Sequence, residues 1–139
     1  MKLEQLLESA SKNMIKAAAN VTEKLLKIGG ERVVRPEEDE DIVLMSQKGK
    51  LWKHKATKLD GVPYNDCHRV TANVCQVNKR FSAITGFALS KDGLWRPHSF
   101  MFDTVDKSIL EPTPIIRVKY WGVLMSGKDA ERFIKSNAR

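Results

Sequence analysis

The sequence predicts an α+β fold: a helix packed on an antiparallel sheet of three to five strands, with a long amino-terminal helix added. Three observations predict it. Apolar residues step by three and four over residues 3–28, they do so again from about residue 66 to 79, and after that the pattern becomes strand-like. Helices and strands are therefore segregated along the chain rather than alternating, which is the pattern of an α+β layer. At 139 residues the chain is long enough to bury a core without staples and short enough for one domain with a helical arm.

The first helix is marked by Leu3, Leu7, Ala10, Met14, Ala17 or Ala18, Val21, Leu25 and Ile28, and is stopped by Gly29-Gly30. Its stripe is narrow. It can pack on the domain or pair with a second copy of the chain. The first unit is thus 1–30, and the polar, acidic stretch 31–41 reads as a linker. The α+β domain is 42–139. In it, Ile42 to Met45 reads as a short strand, and Lys50 to Lys55, with Leu51 and Trp52, as a second. Asp60-Gly61-Val62-Pro63 is a loop with good turn chemistry. Cys67, Val70, Val74, Val77 and Phe81 then define the second helix, with Asn65 or Asp66 as its cap. Ile84 to Ser90 and Leu94 to Phe102 form a hairpin across Lys91-Asp92-Gly93. Ser108 to Glu111 follows a turn centred on Thr104-Val105, and Pro112 and Pro114 limit pairing beyond it. Ile115 to Met125 is the last strand. Ser126 to Asp129 resembles a capping box that opens a final helix to about Asn137.

Apolar content is 42% and charged content 29%, ordinary for a soluble globular protein. No apolar run approaches the ~20 residues of a membrane span, and no secretory leader is visible, so a cytoplasmic protein without membrane contact is expected. Two cysteines do not make a disulfide framework. Cys67 and Cys75 are separated by about 12 Å of helix rise and stay thiols in a reducing cytosol. Their spacing, with His68 and His98, lacks the close pairs of a zinc site, and no cofactor or metal is expected. The net charge of +7 is unevenly spread. Lys48, Lys50, Lys53, Lys55 and Lys58 form an acid-free stretch just after five consecutive acids, Glu37 to Asp41. Such a stretch suits an acidic protein partner or nucleic acid, with Trp52 stacking on a base; Trp52 can equally be a strand residue packed inward.

The chemistry is concentrated in Cys67, His98 and Glu111. A thiol attacks as the thiolate, and a helix N-terminus or an adjacent imidazolium lowers its pKa. Cys67 has the first by position, and backbone N–H groups of the same turn can hold an oxyanion. With the expected turn, residues 98 and 111 lie directly opposite across two strands, so a carboxylate can orient the imidazole and leave its other nitrogen for the thiol. His68 points about 100° away from Cys67 around a helix and reads as a surface or capping residue beside the cleft. Trp95, three residues before His98, is the candidate for shaping a substrate groove.

This order of helix-initial Cys67, strand His98 and next-strand Glu111 resembles the papain-like superfamily in its broad sense, with its transglutaminase-like and small bacterial amidase branches. Gly86 to Ser99, including Asp92-Gly93, Trp95-Arg96-Pro97 and His98, is similar to a histidine-motif segment of small bacterial and phage proteins, and Glu111-Pro112-Thr113 to their downstream acidic-x-Thr motif. Arg117 and Tyr120-Trp121-Gly122 look like a closing strand of the same type. The resemblance implies a papain-like core and a cysteine hydrolase, peptidase or acyl transferase on a protein or peptide-like substrate. Cys67 would be its nucleophile, His98 its base and Glu111 its orienter. Papain itself has Gln six residues before its Cys, where this chain has Gly61; Asn65 or Tyr64 can supply the oxyanion donor instead. Each residue also has a plain structural reading: Cys67 as a small buried side chain, His98 as a satisfied strand histidine, Glu111 as a solvated carboxylate. The competing functional reading is a non-catalytic binding protein that uses the basic 48–58 segment, on a degenerate core of the same type.

Overall fold

The computed structural model describes residues 2–63 and 65–139. The fold is α+β, with four helices and a mixed sheet of seven strands, larger than the three to five expected. Helix α1 runs Leu3–Ile28. Only its second half is seated: Ala17, Ala18, Val21 and Leu25 are buried, whereas Leu3 and Leu7 are 69% and 61% exposed.

The expected linker is tied down. Strand β1 (Arg32–Val33) runs parallel to β5 (Leu94–Asp103), and the Val34 N–H donates to the Trp95 carbonyl at 2.8 Å. A single 3₁₀ turn (Pro36–Glu38) follows. The acids after it are held as well, since Arg132 donates to Asp41 Oδ1 at 2.7 Å.

Residues 42–45, expected as a strand, begin helix α2 (Ile42–Lys48). A four-residue apolar run does not discriminate the two. Spacing decides: Ile42 and Met45, three apart, are the fully buried pair, and α2 packs on α1. Only Lys50–Leu51 of the expected second strand pairs, as β2, before β3 (Ala56–Lys58). Helix α3 (Cys67–Val77), the β4 (Phe81–Leu89) to β5 hairpin, β6 (Ser108–Glu111), β7 (Lys119–Leu124) and helix α4 (Gly127–Asn137) fall where the sequence puts them, with β7 shorter than expected. Ser126 starts α4 through its carbonyl, which accepts from Asp129 N–H; its side chain makes no cap bond, so the expected capping box is not formed.

The strand order is β2-β7-β4-β5-β6-β3, with β1 joining β5. Side chains alternate across β5. Trp95 and Met101 enter the main core with Phe87, Trp121 and Leu25 of α1, while Phe100 enters a smaller cluster with Trp52, Ile84, Ile109 and Tyr120. By the same alternation Ser99 lies on the first face and His98 on the second. Gly86 lets β4 and β7 approach closely, since a Cβ there would lie 2.2 Å from the Trp121 carbonyl oxygen. No helix among the described residues is long and apolar enough to cross a membrane.

Candidate active site

Cys67 is the first residue of α3 and only 8% exposed. The preceding Asp66 occupies the cap position but makes no side-chain cap bond; its carboxylate takes Arg69 at 2.5 Å instead. Among the described residues the first-turn N–H groups beside the sulfur therefore have no side-chain acceptor, although the end of a helix is where such groups most need one. An oxyanion formed at Cys67 would meet them.

The carboxylate end of the site is fully buried. Glu111 Oε1 accepts from His98 Nε2 and from the Tyr120 hydroxyl, both at 2.8 Å. Its Oε2 accepts from the Thr113 N–H at 2.9 Å and the Thr113 hydroxyl at 2.7 Å. Arg117 Nε stands 3.9 Å from Oε1. Four bonds satisfy a group that would otherwise be costly to bury. His98 is 3% exposed, and with Nε2 on Glu111 its Nδ1 is the nitrogen left for the thiol.

The expected register is corrected. Asp103 pairs with Ser108 and Met101 with Leu110, so the turn centres one residue later than Thr104-Val105 and the ladder is displaced by two residues. His98 and Glu111 are diagonal neighbours rather than direct partners. The displacement is even, so both side chains stay on one face, and diagonal spacing is within reach of long side chains. Asp103 sets the turn: its Oδ1 accepts from Val105 and Asp106 N–H groups, while both its oxygens take Arg80.

Burial pushes the Cys67 thiol up, but the neighbouring His68 and then His98 rings outweigh it and bring the thiol down to about 5. Burial pushes His98 down, while Cys67 and Glu111 overcome it and raise it to about 9. Burial pushes Glu111 up, and His98 with the hydroxyls of Thr113 and Tyr120 brings it below the usual carboxylate range. Both shifts favour the thiolate–imidazolium form of the pair. Among the described residues no hydrogen bond joins the sulfur to either ring: His68 is bonded to Ser99 and His98 to Glu111. Cys75, buried on the same helix, is pushed up to about 11 by burial. Such a thiol is inert.

His68 corrects the sequence reading. It is neither a surface nor a capping residue: it is half-buried, its Nδ1 lies 2.5 Å from Ser99 Oγ, and Ser99 Oγ is 3.0 Å from Thr85 Oγ1. The second residue of α3 thus meets the residue of β5 that follows His98. Trp95 is corrected too. It is fully buried in the main core and donates to the Gly29 carbonyl at 2.8 Å, so it shapes no groove. Asn65 is exposed and shares the wall of a small cavity with His68. Tyr64 lies outside the described residues. The five lysines of 48–58 are exposed and none is in an ion pair among the described residues; Trp52 is buried, donates to the Gly122 carbonyl at 3.0 Å and has Lys50 Nζ 4.2 Å from its ring. It is not free to stack on a base.

Sequence reasoning missed the hydroxyls of Ser99, Thr85, Thr113 and Tyr120. The Glu-x-Thr spacing was the available signal for Thr113, because a threonine two residues on can bond back to the carboxylate locally. Comparison with protein families, with curated proteins and with solved structures gives no match.

Proposed function

We propose that the chain is a small cysteine hydrolase or acyl transferase on a papain-like core, acting on an amide, isopeptide or thioester of a protein or peptide-like substrate. The observation that carries the reading is the buried 2.8 Å bond from His98 Nε2 to Glu111, which leaves the other ring nitrogen for a helix-initial cysteine. In the reaction, the Cys67 thiolate attacks the carbonyl carbon and forms a C–S bond. The carbonyl π electrons move to oxygen, facing the first-turn N–H groups of α3. Collapse breaks the bond to the leaving amine or thiol, which takes its proton from His98. Water or an acceptor amine then gives a proton to His98 and attacks the thioester, restoring the thiolate. Glu111 stays ionised throughout and holds the ring.

The test is an activated acyl ester followed by intact mass and peptide mapping. An acyl adduct on Cys67, absent from Cys67→Ala, is expected. A folded wild-type protein that gains none refutes the proposal.

The exposed, unpaired lysines of 48–58 favour a second reading, binding of nucleic acid or of an acidic protein partner. Binding of this kind weakens steeply with salt. Affinity for DNA, RNA or an acidic peptide that does not change with salt would remove it. The uncovered apolar residues Leu3 and Leu7 of α1 support pairing with a second copy through that helix, and two free thiols fit a cytoplasmic setting.

A further inference from the structure

We propose that His68 is a second imidazole of the reactive centre, held by Ser99 so that it supports the Cys67 thiolate alongside His98. The inference rests on the reading of Cys67 as the nucleophile. A neighbouring residue on a helix ordinarily diverges by about 100°. Here the ring is drawn back to the sheet by Ser99, which is fully buried, and by Thr85 behind it, 3% exposed. These two hydroxyls have no other side-chain partner among the described residues. In the neutral ring, with Thr85 donating to Ser99 and Ser99 donating to Nδ1, the proton sits on Nε2; in the charged ring Nδ1–H donates to Ser99 instead, and Nε2 carries a proton in either form.

The surroundings favour the charged ring. Cys67 on its own helix raises the His68 pKa most, burial opposes, the charge of His98 on β5 opposes, and Asp39, from the segment before α2, favours the imidazolium. His68 also lines a cavity of about 330 Å³ with Glu38, Asp39, Glu40 and Asp41. Of these Asp41 is neutralised by Arg132. His68 therefore follows Cys67 directly in α3 while its ring reaches an open cavity, which a purely structural hydrogen bond to Ser99 does not require.

The experiment is the rate of Cys67 with a dipyridyl disulfide across pH, in a Cys75→Ala background. His68→Gln is expected to raise the inflection by roughly one pH unit or more, as loss of a close opposite charge does. Ser99→Ala is expected to give a smaller rise. Adding His98→Gln should bring the inflection near the ordinary thiol value of about 8.5. Imidazole titration by NMR is the second measurement: the His68 titration should move to lower pH when Cys67 is replaced by alanine. A His68→Gln inflection equal to the parent's, or a His68 titration unmoved by Cys67→Ala, overturns the proposal. Failure of acyl-adduct formation with these shifts intact overturns the enzymatic reading and leaves this one standing.

Discussion

Replacing Glu111 by glutamine keeps the shape of a fully buried side chain but removes its charge and turns one acceptor oxygen into a donor. The Thr113 N–H cannot rotate, so the amide oxygen is held on the Thr113 side and the NH₂ faces His98 Nε2 and the Tyr120 hydroxyl. Tyr120 can turn and accept. His98 must move its proton to Nδ1 so that Nε2 accepts, and Nδ1 is the nitrogen left for Cys67. The base is then blocked. Each of the four bonds falls from the charged range of about 1.5–3 kcal/mol to the neutral range of about 0.5–1.5. Relief from burying a charge offsets part of that loss, leaving a net cost of about 2 kcal/mol. The catalytic loss is larger. A wrong-tautomer substitution of this kind in a serine-protease triad lowers kcat by about 10⁴, which is about 5 kcal/mol in the barrier. The assays are the urea midpoint, the ¹⁵N shifts of the His98 ring, and Cys67 reactivity with a disulfide at mildly acid pH. Glu111→Gln should unfold earlier, show the Nδ1–H tautomer and lose acid-side reactivity. Wild-type reactivity from a variant whose His98 stays charged would refute the reasoning.

Three further outcomes are expected. Cys67 has a folded pKa lowered to about 5, so its contribution to stability is present above the unfolded thiol value and disappears as pH falls through about 5; His98 is raised to about 9, so its contribution is present below the unfolded imidazole value and disappears as pH rises through about 9. The two opposing slopes cancel between about pH 6.5 and about 8.5, so urea midpoints of wild type should be highest there. They should fall as pH drops from about 6.5 toward about 5 and as it rises from about 8.5 toward about 9, and Cys67→Ala should remove the acid-side fall; parallel profiles would contradict the ion pair. Gly86→Ala places a Cβ 2.2 Å from the Trp121 carbonyl oxygen and 2.4 Å from Gly122 Cα, both backbone, and should cost roughly 1–3 kcal/mol or more in chemical denaturation; an unchanged midpoint would mean that β4 and β7 are not so close. Leu7→Glu on the uncovered stripe of α1 should leave a monomer where wild type sediments as a dimer, with no change in the melting of the domain, and identical sedimentation of both proteins would remove the pairing proposal.

What was legible in the sequence is what local pattern controls. α1 and α3 each carry a period of three and four long enough to be unambiguous, and Asp92-Gly93 supplies the turn with its positive φ of 84° at Gly93. Pro112, having no N–H, marks where β6 stops pairing. What was not legible depends on partners distant in sequence. β1 and β3 are two and three residues long and exist because β5 and β6 offer an edge to them. The register of β6 depends on Asp103 binding two turn N–H groups and Arg80 together, which no period reveals. His68 was misplaced for a related reason. Helix geometry gives the direction of its Cα–Cβ bond, but the final position of the ring is set by Ser99, on a strand 31 residues away.

The register also explains why the site lies where it does. β4 pairs with β5 from Trp95 to Asp103. On the other side of β5, β1 takes only Leu94 and Trp95, and β6 only Met101 to Asp103. Between them Arg96 to Phe100 have no strand neighbour on that side, and His98 and Ser99 are in this gap. Pro112 helps to make it, because the β6 chain cannot continue the ladder and turns away instead, with Glu111 reaching back diagonally. A helix end can approach a strand edge only where no further strand occupies it. A gap of this size admits the first turn of α3, and the alternation of β5 then presents the Ser99 hydroxyl to His68 on one face while His98 meets Glu111 on the other. Shifting β6 by one residue would turn Glu111 to the opposite face from His98 and leave a buried carboxylate without its main donor. The bonds that fix the Asp103 turn are therefore part of what keeps the site in register, and Arg80→Ala should loosen His98 without touching it.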